Sequence, residues 1–341
     1  MLLSVIIPYY NADAWIGKML DSLLDQDIDA SDYEIIVVDD ASEREPVVLM
    51  EYVNRYSHIH YHRIPHGGMA LARNHGMSVA TGEWIYFCDS DDFVQPQVLG
   101  GILQAARERD LEMIVAGHVT LFHENGPVPT PHRNFDKVTA TMTGWEYFSN
   151  PPDNYSWGVW AYLVKRSALE SNGLVFDNIY YVEDRLFKLK LLDKISRVAF
   201  IDVDLYYYVQ HEVSVYHSKR WENGPDYVET LFFYLNRLTD YIQNPSTPAE
   251  AHKMLEYRRK RGVYVLLLNA FVYCPFEVNR SSIDRLKSMG LYPVAFERSV
   301  GTPRLRAIKW LMDHPRLWLL SHRIVHLLPQ DFLRSHFKVN K

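Results

Sequence analysis

The first 120 residues alternate short apolar runs with stretches in which apolar side chains recur at helical spacing. Five runs have the length and β-branched content of strands, at 3–7, 34–38, 59–64, 84–88 and 112–116. Four intervening segments predict helices, at 15–24, 47–56, 67–80 and 97–109. Strands that alternate with helices of this length predict βαβ units, and therefore a parallel sheet covered by helices on both faces.

The pattern changes after Tyr208. Residues 219–341 contain long helical stretches and few strand-like runs. We therefore predict an α/β unit at 1–218 and a mainly helical region at 219–341. The longest apolar stretch, around 263–274, is too short to span a bilayer. The apolar start of the chain ends at Pro8 and has no basic segment before it, which predicts a buried strand and not a signal peptide.

Composition adds two limits. The 341 residues are 48% hydrophobic and 23% charged, which is typical of a globular protein with room for two packed units. The two cysteines, Cys88 and Cys274, stand at neither metal-ligand nor redox spacing. We therefore expect no disulfide framework, and a reducing, cytoplasmic location.

Charge is distributed unevenly along the chain. Residues 301–341 hold eight Lys/Arg and two Asp/Glu, whereas residues 1–300 hold 28 and 40, a net charge of −12. In the basic segment, apolar residues such as Trp318 and Ile324 are interspersed with arginines in an amphipathic pattern. Such a helix suits an anionic headgroup layer, which predicts peripheral contact with the inner face of the plasma membrane. Packing on the α/β unit or on a sister subunit, or a plain solvated face, are the alternatives.

Polar groups follow three of the predicted strands. The first strand is followed by Tyr10 and Asn11, the second ends at Asp39 and Asp40, and the fourth runs into Asp-Ser-Asp-Asp at 89–92. In an open parallel sheet, ligands bind beyond the carboxyl ends of the strands, so these groups are expected to share one edge. Asp and Asn are also common turn residues, but their coincidence at one edge favours a nucleotide site.

The acidic sequence at 89–92 is the strongest single feature. Three carboxylates within four residues repel each other unless a cation lies between them. Mg²⁺ or Mn²⁺ meets this need through one or two carboxylates together with substrate phosphates. The alternative is a helix N-cap with acidic first-turn residues before 97–109, which accounts for one of the three aspartates.

Gly67 and Gly68 precede a helix that carries Arg73. Glycines at a helix entrance permit close backbone approach, and Arg73 offers a cationic fork for a phosphate or a carboxylate. The sequence leaves these two ligands of Arg73 open.

Four motifs carry a specific resemblance. They are Ser-Val-Ile-Ile-Pro-Tyr-Tyr-Asn at 4–11, Ile-Val-Val-Asp-Asp-Ala-Ser at 36–42, Ala-Leu-Ala-Arg-Asn-His-Gly at 70–76, and Asp-Ser-Asp-Asp at 89–92. In order and spacing the chain resembles family 2 glycosyltransferases of the GT-A fold, of the bacterial polysaccharide and cell-surface glycan type. The resemblance implies a Rossmann-like, mixed, mostly parallel sheet with flanking helices, a nucleotide-sugar donor and an inverting reaction. It covers roughly 1–217 and fades beyond.

The resemblance also implies roles for individual residues. Donor-binding residues are Pro8, Tyr10, Asn11, Asp40, Arg73, Asp89 and Ser90. Among them, Tyr10 lies near the base, Asp40 recognises the base, and Asp89 faces the ribose. Asp91 binds Mn²⁺ or Mg²⁺ on the diphosphate.

Glu183 and Asp184 resemble the family's Glu-Asp motif, whose aspartate is the usual catalytic base. In an inverting displacement, a carboxylate must reach the acceptor hydroxyl to take its proton as the anomeric carbon is attacked. One such base is enough when a metal stabilises the departing diphosphate. The alternative is an acidic helix N-terminus favoured by the macrodipole.

Two further segments match with departures. His211 stands where the family often has a basic residue or histidine, so it is a second predicted metal or phosphate ligand, although a lone histidine is often an ordinary residue. Val209 and Val213 stand where arginine and glycine are frequent. In the aromatic segment 157–163, Tyr162 replaces a frequent lysine, and the tryptophan and tyrosine rings serve either as a platform for the acceptor sugar or as core.

The sequence therefore predicts an inverting, metal-dependent hexosyl- or N-acetylhexosaminyltransferase. It moves a sugar from a nucleotide-sugar, with UDP the family-level default, to a hydroxyl of a glycan or lipid-linked acceptor. A nucleotide-sugar-binding scaffold in a polysaccharide assembly complex is the alternative, against which the retained Asp91 and Asp184 argue. A Rossmann dehydrogenase ranks low, because Gly-x-Gly-x-x-Gly does not follow the first strand. No nucleic-acid partner is expected.

Overall fold

The computed structural model describes residues 1–123, 132–151, 158–210, 224–294 and 303–325. The chain divides into two compact units, Met1–Ser214 and Val215–Lys341. The predicted boundary between 218 and 219 lies outside the described residues. A sheet with flanking helices forms the first unit, and helices form the described part of the second.

The described residues of the first unit contain nine strands joined in one sheet. The strands are β1 (Leu3–Tyr9), β2 (Tyr33–Asp39), β3 (Ile59–Arg63), β4 (Trp84–Phe87), β5 (Phe93–Val94), β6 (Met113–His123), β7 (Arg133–Val138), β8 (Tyr162–Lys165) and β9 (Val198–Gln210). The helices are α1 (Ile16–Leu24), α2 (Val47–Arg55), α3 (Met69–Val79), α4 (Leu99–Glu108), α5 (Gly144–Ser149), α6 (Arg166–Ser171) and α7 (Glu183–Lys194), with a 3-10 turn at Val159–Ala161.

The sheet has two halves that differ in strand direction. Its order is β3-β2-β1-β4-β8-β6-β9-β5, and β7 pairs with β9 as well. Strands β3, β2, β1 and β4 run parallel, as the alternation of strands and helices predicts. Strand β8 is antiparallel to β4 and β6, β9 is parallel to β6, and β5 and β7 are antiparallel to β9. The predicted mixed sheet with flanking helices is thereby confirmed.

The centre of the parallel half is continuously apolar because helices cover it on both sides. Every residue of β1 and β2 is buried. Val5 and Ile7 belong to the core cluster that includes the buried face of α1. Ile6 points the other way, towards α3, where a Cβ on Gly76 would lie 2.4 Å from Ile6 Cγ2. Glycine at this position therefore lets α3 pack closely on the strand whose end leads into the predicted site.

Two side chains from the loop after α1 cap α4. Gln26 Oε1 accepts hydrogen bonds from the backbone N–H groups at 98 and 99, each at 3.1 Å. Asp27 accepts from those at 100 and 101, at 2.7 and 3.0 Å. Because this distant loop satisfies the N-terminal donors of α4, the interpretation of a residue of the acidic sequence as the N-cap is wrong.

Five helices make up the described part of the second unit, which confirms the predicted helical region. They are α8 (Gly224–Gln243), α9 (Ala249–Tyr273), α10 (Phe276–Ser288), α11 (Pro303–Met312) and α12 (Pro315–Val325). Helix α9 approaches α8 closely at Gly262, where a Cβ would lie 2.9 Å from Leu235 Cδ2. Within the described ranges, no helix is both long enough and apolar enough to cross a membrane.

Candidate active site

The loops that follow β1 and β2 are tied to each other by hydrogen bonds. The backbone N–H of Asn11, at a φ of 50°, donates to Ser42 Oγ at 2.9 Å, and Asn11 Oδ1 accepts from the backbone N–H of Glu43 at 3.0 Å. Tyr10 donates from its hydroxyl to Glu43 Oε1 at 3.4 Å. Pro8, two residues before Tyr10, is buried within β1. These predicted donor residues therefore lie beside the carboxyl end of β2.

Asp40 organises the loop that precedes α3. Its Oδ1 accepts a hydrogen bond from the backbone N–H of Gly67 at 2.7 Å, and its Oδ2 accepts from that of Gly68 at 2.9 Å. His66 Nδ1 lies 3.0 Å from the same Oδ2, and the His66 ring packs against the Tyr10 ring with centroids 5.2 Å apart. A carboxylate offers about four lone-pair positions, so Asp40 can hold this loop and still accept from a ligand.

Gly68 is required at the entrance to α3 by both conformation and space. Its φ of 91° and ψ of 170° fall in a region that is essentially restricted to glycine. A Cβ here would lie 3.1 Å from Cε1 of Tyr180, whose side chain is exposed. The sequence predicts a close approach to the backbone at these glycines. In this structure the ring of Tyr180 occupies the space beside Gly68.

Arg73 is the centre of a polar cluster at this edge of the sheet. Its side chain is 1% exposed. Nη2 donates to Asp89 Oδ1 at 2.8 Å, and Nη1 donates to Asp184 Oδ1 at 2.6 Å. Glu183 Oε1 lies 3.6 Å from Nη1. Of the two kinds of ligand that the sequence leaves open for Arg73, the structure shows carboxylates. We call Arg73, Asp89, Glu183 and Asp184 the Arg73 cluster.

One cation faces three carboxylates in the Arg73 cluster. Burial lowers the pKa of Arg73, but the charges of its carboxylate neighbours raise it more, so the guanidinium stays charged. Burial raises the pKa of Asp184, an effect that Arg73 and the backbone N–H of Val159 oppose. Burial and then the charge of Asp184 raise the pKa of Glu183, whose Oε2 is buried without a hydrogen-bond partner. A carboxylate with a raised pKa takes up a proton more readily, which suits general-base chemistry.

Glu183 and Asp184 occupy the first turn of α7. The N-cap residue, Val182, makes no side-chain cap, and the macrodipole at this end of the helix favours negative charge. The helix-terminus interpretation is therefore right about position. It does not explain the contact of Asp184 with Arg73. Through Arg73 this contact links α7 to Asp89 in the acidic loop, residues 89–92.

Asp92, which the sequence did not single out as a site residue, fastens the acidic loop to β9. Its Oδ2 accepts from the Tyr206 hydroxyl and its Oδ1 from the backbone N–H of Val209, both at 2.7 Å. The same hydroxyl accepts from the backbone N–H of Asp89 at 2.9 Å. Burial, followed by the charges of Asp91 and Asp89, raises the pKa of Asp92 well above its usual range. Asp92 belongs to the Asp-Ser-Asp-Asp motif, but its pairing with Tyr206 across 114 residues has no sequence signal.

Asp91 and Ser90 are half-buried between these anchored carboxylates. Within the part of the chain that the structure describes, no three His, Cys, Asp or Glu side chains converge as a preformed metal site. The second predicted ligand, His211, lies outside the described residues. A divalent ion that is carried by a diphosphate needs only one or two protein carboxylates. The metal-binding role of Asp91 therefore stays a prediction.

The aromatic segment before β8 separates into a buried and a half-exposed part. Tyr162 is fully buried, and Nζ of the buried Lys188 lies 5.0 Å from its ring centroid, so α7 places an ammonium group beside the tyrosine that replaces a lysine. Trp160 is half-buried and stacks on Tyr206, with centroids 4.9 Å apart and ring planes 5° apart. The core interpretation therefore holds for Tyr162, while Trp160 keeps partial exposure. Trp157 lies outside the described residues.

Comparisons with known proteins agree with the motifs. Residues 4–164 match the sequence profile of Glycosyl transferase family 2. The uncharacterized glycosyltransferase EpsJ of Bacillus subtilis (strain 168) is 30% identical over 217 residues, which are 63% of this chain and 62% of EpsJ. The matched region thus spans less than two thirds of the length of that relative.

Solved structures share the fold. S. aureus TarS 1–349 in complex with UDP-GlcNAc has a TM-score of 0.62 at 20% identity, over 96% of this chain and 92% of the other. The mannosyltransferase PcManGT from Pyrobaculum calidifontis, in complex with GDP-Man and Mn²⁺, has a TM-score of 0.52 at 16% identity, over 95% and 86%. The profile match falls on the strands and loops that hold Asp40, Arg73 and Asp89, and it identifies residues 4–164 as a region of glycosyl transferase family 2, while the solved structures show the shared fold.

Proposed function

We propose that the chain is an inverting glycosyltransferase that moves a hexosyl or N-acetylhexosaminyl group from a nucleotide-sugar to a hydroxyl of a glycan or lipid-linked acceptor. The observation that carries the proposal is the Arg73 cluster, in which one guanidinium joins Asp89 of the acidic loop to Asp184 of α7. UDP is the proposed nucleotide, and the complex of TarS with UDP-GlcNAc supports it. We propose a cytoplasmic location, which the buried free thiols of Cys88 and Cys274 support because they suit a reducing compartment.

Donor binding is assigned to the residues at the ends of β1, β2 and β4. Tyr10 and Ser90 are half-buried, and Asn11 is exposed, so each can contact a ligand without rearrangement of the core. Arg73 differs from them, because it is buried and both of its terminal nitrogens bond to carboxylates. We therefore assign Arg73 to positioning of Asp89 and Asp184, which revises the donor-binding role that the resemblance implies.

Asp184 is the proposed general base. As the acceptor oxygen bonds to the anomeric carbon, the hydroxyl proton moves to the Asp184 carboxylate, and the bond from that carbon to the diphosphate oxygen breaks on the opposite face. The charge-assisted hydrogen bond from Arg73 to Oδ1 fixes the orientation of the carboxylate. Glu183 supports this base: because its pKa is raised, it binds a proton more readily and then adds no charge beside Asp184.

Asp91 is the residue proposed to hold a donor-bound Mn²⁺ or Mg²⁺, with His211 as a second candidate. Such an ion, when bound, neutralises charge on the departing diphosphate. The complex of PcManGT with GDP-Man and Mn²⁺ supports metal use in this fold. Asp91→Ala, or chelation of the wild type, is expected to remove donor binding. The unfolding midpoint of the donor-free protein is the matched control, and it should not change.

The proposal is tested by donor binding and by turnover. A thermal-shift panel of UDP-, GDP- and dTDP-sugars with Mn²⁺ identifies the donor, because a ligand at a hundredfold excess over Kd stabilises the native state by about 2.7 kcal/mol. Release of nucleoside diphosphate in the presence of glycan and lipid-linked acceptors then measures turnover. Binding without turnover would favour the scaffold alternative. The absence of a shift with every nucleotide-sugar would contradict both readings.

A further inference from the structure

Helix α12 of the second unit has an inner face that is fixed by packing. Trp318 and His322, one helical turn apart, are each 2% exposed. Trp318 Nε1 donates to Asn279 Oδ1 at 3.1 Å, and its ring lies 4.2 Å from that of Phe271. His322 Nε2 lies 3.2 Å from the carbonyl oxygen of Cys274. These contacts with α9, α10 and the turn between them fix the rotation of α12, and so determine which side chains point away.

The outer face of α12 carries a row of exposed aliphatic side chains. Leu317, Leu320 and Ile324 are 43%, 55% and 58% exposed, and their spacing of three and four residues places them along one side of the helix. The inner face already secures the helix, so the contacts of the described residues do not account for this row, and clustered exposed apolar residues mark interaction surfaces.

The charges around this row have one predominant sign. Residues 303–325 contain five Lys/Arg and one acidic residue, Asp313, which is half-buried. Arg316 and Arg323 are exposed on α12 itself. The surface therefore combines apolar side chains with cations, which is the combination that a layer of anionic lipid headgroups accepts. A second copy of the same surface would present like charge, so self-association is the less favoured occupant.

We propose that the outer face of α12 docks on an anionic bilayer surface. The aliphatic row enters the boundary between headgroups and acyl chains, and the flanking arginines contact lipid phosphates. Each basic residue near such a surface strengthens binding by about fivefold, in a way that salt weakens. The inference adds a partner at a different place from the Arg73 cluster and does not depend on the proposed transfer reaction.

The test is flotation of the full chain with two kinds of vesicle, one of phosphatidylcholine alone and one of phosphatidylcholine and phosphatidylglycerol in equal parts. The wild type is expected to float with the anionic vesicles only, and less so in high salt. A double variant, Leu320→Ser with Ile324→Ser, should lose at least about tenfold in binding, because it has two fewer apolar side chains to bury in the bilayer. Arg316→Gln should lose about fivefold.

Tyr257→Ser is the matched control, because Tyr257 is 53% exposed on α9 of the same unit and should be replaceable without loss of binding. Circular-dichroism melts check that all variants remain folded. The proposal is overturned if the wild type does not float, if it floats equally with neutral vesicles, or if the double variant binds like the control. It is also overturned if sedimentation velocity shows a dimer that the double variant dissociates.

Discussion

The Arg73 cluster and helix α12 depart from ordinary burial in opposite directions. In the first unit, the Arg73 guanidinium is removed from water and bonded to carboxylates, and in the second, aliphatic side chains remain exposed to water. Buried charge persists only where it is paired, and rows of exposed apolar residues are unusual on a protein without a partner. Buried charge and exposed apolar side chains therefore each mark a proposed site. The Arg73 cluster is proposed to act on a reacting substrate, and helix α12 to bind a lipid surface.

The largest expected change in stability comes from Arg73→Met, which removes the cation from the Arg73 cluster. Methionine fills much of the space but leaves three carboxylates without their cation, and removal of one partner from a buried ion pair costs roughly 3–5 kcal/mol. The free energy of unfolding in urea gives the value. A loss below about 1 kcal/mol would mean that water screens the cluster as it screens surface pairs.

Arg73→Lys is the conservative companion, because lysine keeps the charge but not the two-pronged contact. Arg73 lowers the pKa of Asp184, so a weaker contact lets that pKa rise. Since the base must be ionised to take a proton, the acid limb of the kcat profile should move to higher pH. An acid limb that stays in place would show that Arg73 acts on folding alone.

The next effect contrasts the two faces of α12. Trp318→Ala should destabilise the chain by about 3 kcal/mol or more, because it empties a buried site. Leu320→Ala on the outer face should change the free energy of unfolding by less than about 0.5 kcal/mol. Urea denaturation of both variants measures the contrast. Equal losses would mean that the outer face packs against protein, which would also remove the basis for lipid docking.

The smallest expected effect is a pH dependence at Glu183. Because its pKa is raised in the folded state, the protonated form contributes stability below the ordinary glutamate range, and this contribution is lost as pH rises through the raised pKa. Glu183→Gln stays neutral, so its free energy of unfolding relative to the wild type should rise by on the order of 1 kcal/mol from acidic to alkaline pH. Urea melts at several pH values check this. Glu45→Gln, at an exposed glutamate, is the control, and an equal slope for both variants would count against the buried-acid account.

The parallel half of the sheet was predictable because its signals are local. Strands β1 and β2 are buried throughout, and α1 repeats its apolar face within nine residues. Strands β5, β7, β8 and β9 were not predicted, because what makes them strands is pairing with distant partners. Strand β9, for example, pairs with β6 in a register that joins Val198 to Met113, 85 residues earlier in the chain.

The candidate site was predictable as residues but not as contacts. Motifs named Arg73, Asp89 and Asp184 one by one, whereas the joint contact spans 111 residues of chain and depends on the burial of the guanidinium. In the same way, the sequence placed Trp318 and Ile324 in one amphipathic pattern. The structure puts Trp318 inside and Ile324 outside, because residues six apart lie on different sides of a helix.

The base assignment is tested most directly by the transfer rate and the donor affinity of Asp184→Asn, measured together. Asp193→Asn, in the last turn of the same helix, is the matched control. We expect Asp184→Asn to lose about 10²–10⁴-fold in transfer rate, as for removal of a general base, while its donor affinity stays close to that of the wild type. Asp193→Asn should match the wild type in both quantities. Transfer at the wild-type rate by Asp184→Asn would contradict the account and place the base elsewhere.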